Sequence, residues 1–182
     1  SFWKLRSNLW NKVQKHRATF MEIVPSILIA ILNTPYKNFT EEQVISMSFI
    51  GCGSAFLPLN LQDAFEEKFG IPVANLYGLS ETGATHFDDP FVKGRVMGSI
   101  GKPFDIVEAR IFGEDRREVH NNEVGEIGIK GPGLLKGYLN NQKLYEDCFY
   151  KGFFMTGDLC RKDNKGNYYY MDRKKDLIIK GG

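Results

Sequence analysis

A chain of 182 residues, with 42% hydrophobic and 25% charged side chains, has the balance of an ordinary globular protein and can bury one core or two small ones. That composition argues against disorder, and a formal net charge of +2 is too small to mark a nucleic-acid partner. Cys52, Cys148 and Cys160 are widely separated, with no CxxC pair and no histidine nearby, so they read as reduced cytosolic thiols and not as a disulfide frame or zinc site.

From Phe2 to about His16 apolar residues recur at helical spacing, with the basic residues between Lys4 and Arg17 on the solvated face. The run ATFMEIV follows as a short strand, and Pro25 suits the first turn of the next helix, PSILIAILN. The apolar stretch around that helix, IVPSILIAILNTPY, is broken by Pro25 and too short to span a membrane, and no targeting segment is visible, so a cytoplasmic location is expected. Thr40 with Gln43 three residues on has the form of a capping box. VISMSFIG reads as a buried strand. The run LPLNLQDAFEEKFG reads as a helix with Leu57, Leu59, Leu61, Phe65 and Phe69 on its apolar face and Gly70 as terminator, and IPVANLYG as the next strand. Strand, helix and strand in that order make a crossover unit with parallel pairing.

After about residue 95, the runs SIGKPF, VEARIFG, EVGEIGIKGPG and NYYYMDR are short, β-prone and broken by Gly, Pro, Asn and Asp. They predict a mostly antiparallel, barrel-like sheet, with the boundary near DPFVKGRVMG. The chain opens at Ser1 without a methionine and stops at Gly181-Gly182 straight after an apolar strand-like run, as an internal piece of a longer protein would.

Chemistry concentrates in two places. NLYGLSETGATHF sets Tyr77, Gly78, Ser80 and Glu81 almost side by side. One reading is a strand end turned by a glycine and covered by polar groups. The other is a tight turn that presents a hydroxyl and a carboxylate to one phosphate and its metal ion, beside an aromatic face for a base. Downstream, Thr156-Gly157-Asp158 precedes Tyr170, Arg173 and a basic stretch. An aspartate after a glycine turn can accept from both hydroxyls of a ribose, and an arginine can reach the same sugar or a phosphate. His16, His86 and His120 lack the spacing of a metal site or triad, with a pocket-lining place left open for His86.

The ordered set GCGSAFL, NLYGLSETG, GSIGKPF, GEIGIKGPGLLKGY, GFFMTGDL and YMDRKKDLIIKGG resembles the adenylate-forming, AMP-binding superfamily over nearly the whole chain from about residue 20. Its flavour is that of a long-chain fatty-acid or related acyl-CoA ligase. The resemblance implies an α/β fold: residues 1–94 the closing part of a parallel-sheet AMP-binding subdomain, 95–172 an antiparallel β-barrel-like subdomain, and 173–182 the hinge to a C-terminal lid. It places Tyr77 against adenine and Asn75 near the exocyclic amine. Gly53, Ser54 and Ala55 match the small-residue wall between the adenine and acyl pockets, and Gly78 is counted with the nucleotide-binding residues. Ser80 matches the residue touching the α-phosphate, Glu81 the magnesium carboxylate, Asp158 the ribose ligand, Tyr170 a second aromatic, Arg173 a basic contact and Lys175 the hinge position. ATP, Mg2+, coenzyme A and a carboxylic acid are the implied partners.

The chain departs from the family pattern in carrying Ser54 and Phe56 in its Gly-Gly-Ala-Pro wall, and in having Ile179 where many relatives have a lysine, with Lys180 one step later. Neither the upstream phosphate loop nor the C-terminal lid of the family is within the sequence, so the isolated chain is expected to be inactive. An adenylation domain that loads a carrier protein, or a nucleotide-binding fragment without turnover, are the alternative readings.

Overall fold

In the computed structural model residues 8–35 and 39–176 are described. They form two compact units: the first holds the chain up to Leu76 together with Asp89–Gly98, and the second holds Tyr77–Asp88 and the chain from Ser99 onward. The chain thus passes between units three times, at 76/77, 88/89 and 98/99, where the sequence suggested one passage near residues 89–98.

In the first unit, helix α1 (Leu9–His16) buries Trp10 and Val13 and exposes its basic residues, and it stops at Arg17 in the left-handed region. The part of this predicted helix before residue 8 lies outside the described residues. Strands β1 (Phe20–Ile23), β2 (Phe49–Cys52) and the start of β3 (Val73–Leu79) pair in parallel, with Ile50 opposite both Met21 and Val73. Parallel pairing needs a crossover, and two helices supply it: α2 (Pro25–Leu32), with proline in its first turn, and α3 (Leu59–Phe69). The core joins Trp10, Leu28, Ile50, Phe65 and Phe69, with the rings of Trp10, Phe39 and Phe69 within 4.8–5.8 Å of one another.

Several local signals took the expected form. Thr40 and Gln43 make a capping box around the short helical turn Glu41–Gln43. Gly70 ends α3 at φ +66°, donating to the Glu66 carbonyl. Two expectations are corrected. The strand expected over VISMSFIG begins only at Phe49, because Val44–Met47 turn while burying Val44 and Met47. On α3, Leu57 precedes the helix and Leu59 is 47% exposed, whereas Gln62 is fully buried. Gln62 tolerates burial because its amide donates to the Val73 carbonyl (2.6 Å) and accepts from Gly98 N (3.4 Å). Arg95 pairs with Glu66 at 3.1 Å and donates to the same carbonyl at 2.6 Å, which holds residues 89–98 against α3 and explains their return to this unit.

The second unit is antiparallel. The end of β3 runs beside β4 (Gly83–Phe87), which pairs with β5 (Lys102–Pro103). A curled half-barrel sheet follows in the order β10 (Tyr168–Arg173), β9 (Phe153–Lys162), β7 (Val124–Lys130) and β6 (Glu108–Phe112), with β8 (Phe149–Tyr150) also on β9 and helix α4 (Gln142–Asp147) leading into β8. Its core contains Ile100, Ile111, Ile127, Ile129, Cys160 and Tyr168. The architecture is the α/β crossover followed by a curled antiparallel sheet that the sequence led us to expect. All three cysteines are free thiols, and burial pushes the Cys52 thiol up to about 12. Among the described residues, no helix is long and apolar enough to cross a membrane.

Candidate nucleotide site

The hairpin from β3 to β4 carries the first group of candidates. The Thr82 N–H donates to the Leu79 carbonyl at 3.1 Å, and the Thr82 hydroxyl accepts from Leu79 N at 3.0 Å, so Ser80 and Glu81 occupy the corner of a closed turn. Neither has a positive φ; Gly83 does, at +64°. Gly78 is therefore not the turning residue. It lies inside β3, where a Cβ would fall 2.1 Å from the Gly83 carbonyl oxygen, and so it permits the close approach of the two hairpin strands. Ser80 is exposed at the tip and Glu81 half-buried. The Tyr138 hydroxyl donates to Glu81 Oε1 at 3.3 Å, and Leu135 N donates to the Glu81 carbonyl at 2.7 Å. Burial first, then the Glu81 charge, pushes the Tyr138 phenol up to about 12, so it stays a donor at neutral pH.

Asp158 lies on a bulge in β9. Glu126 faces Leu159 and Gly128 faces Met155, so Ile127 alone on β7 opposes Thr156, Gly157 and Asp158 on β9. On the other side Tyr170 faces Cys160 while Asp172 faces Leu159, leaving Met171 as an extra residue of β10. Gly157 takes φ +76°, and this left-handed step re-aims the next side chain. Side chains occupy the polar groups that the bulge frees. The Thr156 hydroxyl donates to the Ile127 carbonyl (2.8 Å) and accepts from Asp158 N (3.1 Å), while Glu126 Oε1 accepts from Gly157 N (3.1 Å).

The carboxylate that results is 3% exposed. Tyr77 donates its hydroxyl to Asp158 Oδ2 at 2.8 Å, and Arg173 Nε stands 3.6 Å from Oδ1. Tyr77 is itself 9% exposed and packs among Ile100, Ile111 and Ile127. Burial, followed by the charges of Cys160 and Asp158, drives its phenol well above the usual range. Tyr170 is raised by burial and next by Asp158, which places its hydroxyl in the field of the same carboxylate. Tyr77, 81 residues before Asp158, is thus brought to it beside Arg173, with Tyr170 in the same field, and Glu81 is braced by Tyr138. Lys175 is exposed on the short helical turn after β10. Lys180 lies outside the described residues.

The remaining candidates belong to the first unit. Asn75 is buried on β3 opposite Cys52. Gly53 is buried where a Cβ would meet the Leu76 carbonyl oxygen at 2.7 Å, and Ala55 is exposed. Ser54, at the position where the family pattern has glycine, keeps the glycine conformation with φ +64°. Left-handed backbone costs a non-glycine residue on the order of 1 kcal/mol. Ser54→Gly is therefore expected to raise stability by about 0.5–1 kcal/mol, the greater freedom of glycine in the unfolded chain offsetting part of the gain. Urea midpoints of the two forms measure this, and an equal or lower midpoint for the glycine form would count against strain at Ser54.

Tyr138 and Glu126 were not singled out from sequence, although both lie in the quoted run GEIGIKGPGLLKGY. No local pattern marks them, because their partners are 57 and 31 residues away. Among the described residues no three His, Cys, Asp or Glu side chains converge as an all-protein metal site. One half-buried carboxylate such as Glu81 fits a magnesium ion held chiefly by phosphate oxygens and water.

The family model described as AMP-binding enzyme matches residues 2–139. A sulfoacetate–CoA ligase of Cupriavidus necator is 35% identical over 178 residues, covering 97% of this chain and 34% of the relative. A long-chain-fatty-acid–CoA ligase of Bacillus subtilis is 36% identical over 173 residues, covering 93% of this chain and 30% of the relative. The solved structure of O-succinylbenzoate coenzyme A synthetase from Bacillus subtilis, in complex with ATP and magnesium ion, is similar at a TM-score of 0.82 and 32% identity, over 97% of this chain and 36% of that one. The chain spans about a third of the length of these relatives.

Proposed function

The chain belongs to the AMP-binding enzyme family, and from that premise we propose that it forms part of an ATP-dependent acid–CoA ligase. The observation that carries this reading is the bulge-borne Asp158, a buried carboxylate with Tyr77 and Arg173 on its two oxygens, in a chain whose named relatives are CoA ligases. In the proposed reaction a substrate carboxylate attacks the α-phosphorus of ATP, pyrophosphate leaves, and an acyl-adenylate forms. The thiol of coenzyme A then attacks the acyl carbon and AMP leaves. Asp158 accepts from the ribose hydroxyls, Tyr170 and Arg173 flank it, and Tyr77 closes one side of the nucleotide. Asn75 reads the base beside the wall of Gly53, Ser54 and Ala55, with Gly78 allowing the hairpin to close. Ser80 donates to the α-phosphate. Glu81 would hold magnesium, which when bound supplies charge neutralisation at the phosphates. Lys175 is assigned to the pivot of a lid.

The acid is proposed as a carboxylate of open class. Relatives named for sulfoacetate, long-chain fatty acids and succinylbenzoate match at 34–36% identity, so a fatty acid is one candidate among several. A substrate panel with the full-length parent, scored by AMP release, selects among them. For the site itself, Asp158→Ala in the full-length parent is expected to weaken ATP binding by roughly 1.5–3 kcal/mol, the scale of hydrogen bonds to a charged group. Titration of ATP by calorimetry measures it, and an unchanged affinity in a folded variant would remove Asp158 from the nucleotide.

A further inference from the structure

We propose that Glu126 is a positioning residue for Asp158, clamping the bulge that carries it from the neighbouring strand and tying that bulge to Lys174. The proposal rests on the assignment of Asp158 to the nucleotide.

With one residue of β7 opposed to three of β9, regular ladder hydrogen bonding cannot continue through Thr156–Asp158. A half-buried N–H left without an acceptor there would be destabilising. Glu126 supplies that acceptor to Gly157, the residue whose left-handed φ of +76° sets the direction of the Asp158 side chain. Fixing the Gly157 peptide therefore fixes the carboxylate that follows it. The second oxygen of Glu126 is also engaged: Lys174 Nζ donates to Oε2 at 3.0 Å. Lys174 directly follows Arg173, which stands beside Asp158. One carboxylate thus reaches the residue before Asp158 through its backbone, and the residue after Arg173 through its ammonium group.

The two contacts differ in weight. Glu126 is only 12% exposed, so its bond to Gly157 is sheltered, whereas Lys174 is 53% exposed and its pair is screened by solvent. Holding Gly157 is the larger role, and it needs an acceptor oxygen rather than a charge. Glutamine can provide that oxygen; alanine cannot.

The test uses the full-length parent as wild type, E126A, E126Q and K174A. Two quantities are read in each: ATP dissociation constant by calorimetry, and amide hydrogen exchange in the peptide spanning residues 153–162. In E126A we expect the ATP dissociation constant to rise about tenfold and exchange to accelerate by a similar factor, with kcat within about threefold of wild type. E126Q and K174A should stay within about threefold on both. That rescue by the conservative variant, with the effect in binding and not in turnover, separates positioning from general support of the fold. Wild-type affinity and exchange in folded E126A overturn the proposal, as does an E126Q variant no better than E126A. If E126A does not fold, accelerated exchange in E126Q overturns it and unchanged exchange supports it. Should wild type itself fail to bind ATP, the nucleotide reading of Asp158 falls, while the exchange measurements still judge whether Glu126 clamps the bulge.

Discussion

Glu81→Gln in the full-length parent is expected to slow adenylate formation by roughly a hundredfold or more and to raise the magnesium concentration needed for half-maximal rate. Glutamine is nearly isosteric, and its oxygen can still accept from Tyr138 as Glu81 Oε1 does at 3.3 Å. The hairpin corner is held by the Thr82 N–H on the Leu79 carbonyl and the Leu79 N–H on the Thr82 hydroxyl, which the substitution leaves alone. What is lost is one negative charge, in a chain where, among the described residues, no three His, Cys, Asp or Glu side chains group as a metal site. A magnesium ion bound through a single carboxylate and phosphate oxygens has no substitute for that charge. Ser80 stands next to it on the same corner but is exposed and neutral. Ser80→Ala should therefore cost about 1 kcal/mol, or about fivefold in rate, with the magnesium curve unmoved. Initial rates against magnesium for both variants separate the two roles. A wild-type magnesium curve for Glu81→Gln would reduce this carboxylate to a turn residue braced by Tyr138.

The contrast between the two halves of the site shows which features a linear reading reaches. Short-range chemistry was legible: Gly70 after α3, the Thr40–Gln43 box and Gly157 before Asp158 each act within four residues of themselves. Gly78 was misread because a glycine needed for strand approach and one needed for a positive φ look alike in sequence; only the partner strand, 2.1 Å from the absent Cβ, tells them apart. Gln62 was not named on the buried face of its helix, because its burial depends on a carbonyl of β3 and an amide at Gly98, neither adjacent in the chain. The Tyr77–Asp158 bond joins residues 81 apart, and two bulges in β9 pairing set it up. Periodicity carries no information about a register shift, so the candidates could be named singly from motif order while their mutual contacts could not. The same limit hid the weaving of residues 77–98 between the two units.

His86 should make the protein sensitive to mild acid. Its side chain is fully buried on β4, edge-on to the rings of Tyr168 (4.7 Å) and Tyr77 (5.6 Å), with Nδ1 3.0 Å from the Thr85 hydroxyl. That hydroxyl donates to the Tyr77 carbonyl, so it accepts from Nδ1–H, which leaves Nε2 as the unprotonated nitrogen with no partner among the described residues. An imidazolium here would be desolvated and its Nε2–H without an acceptor, and burial pushes its pKa from 6.5 down to about 3. The folded state thus binds the proton less readily than the unfolded chain. Stability is fully present above about pH 6.5 and falls as pH drops toward 3, because in that window only the unfolded state takes up the proton. The slope is up to about 1.4 kcal/mol per pH unit, so moving from pH 6.5 to 4 should remove about 3 kcal/mol. Carboxylates contribute at the lower end as well, but Asp163, where hydrogen bonds from Asn167, Tyr169 and Lys165 outweigh burial and hold the pKa at about 2, stays ionised throughout this range. His86→Phe keeps a ring between the two tyrosines and abolishes the titration; His86→Gln does so with a smaller side chain. Urea midpoints of the full-length parent at pH 7.5, 6, 5 and 4 should decline in wild type and be flatter in either variant by about the amount given above. Parallel curves for wild type and both variants would mean that His86 takes up its proton without leaving the core, and that its burial is not what acid attacks.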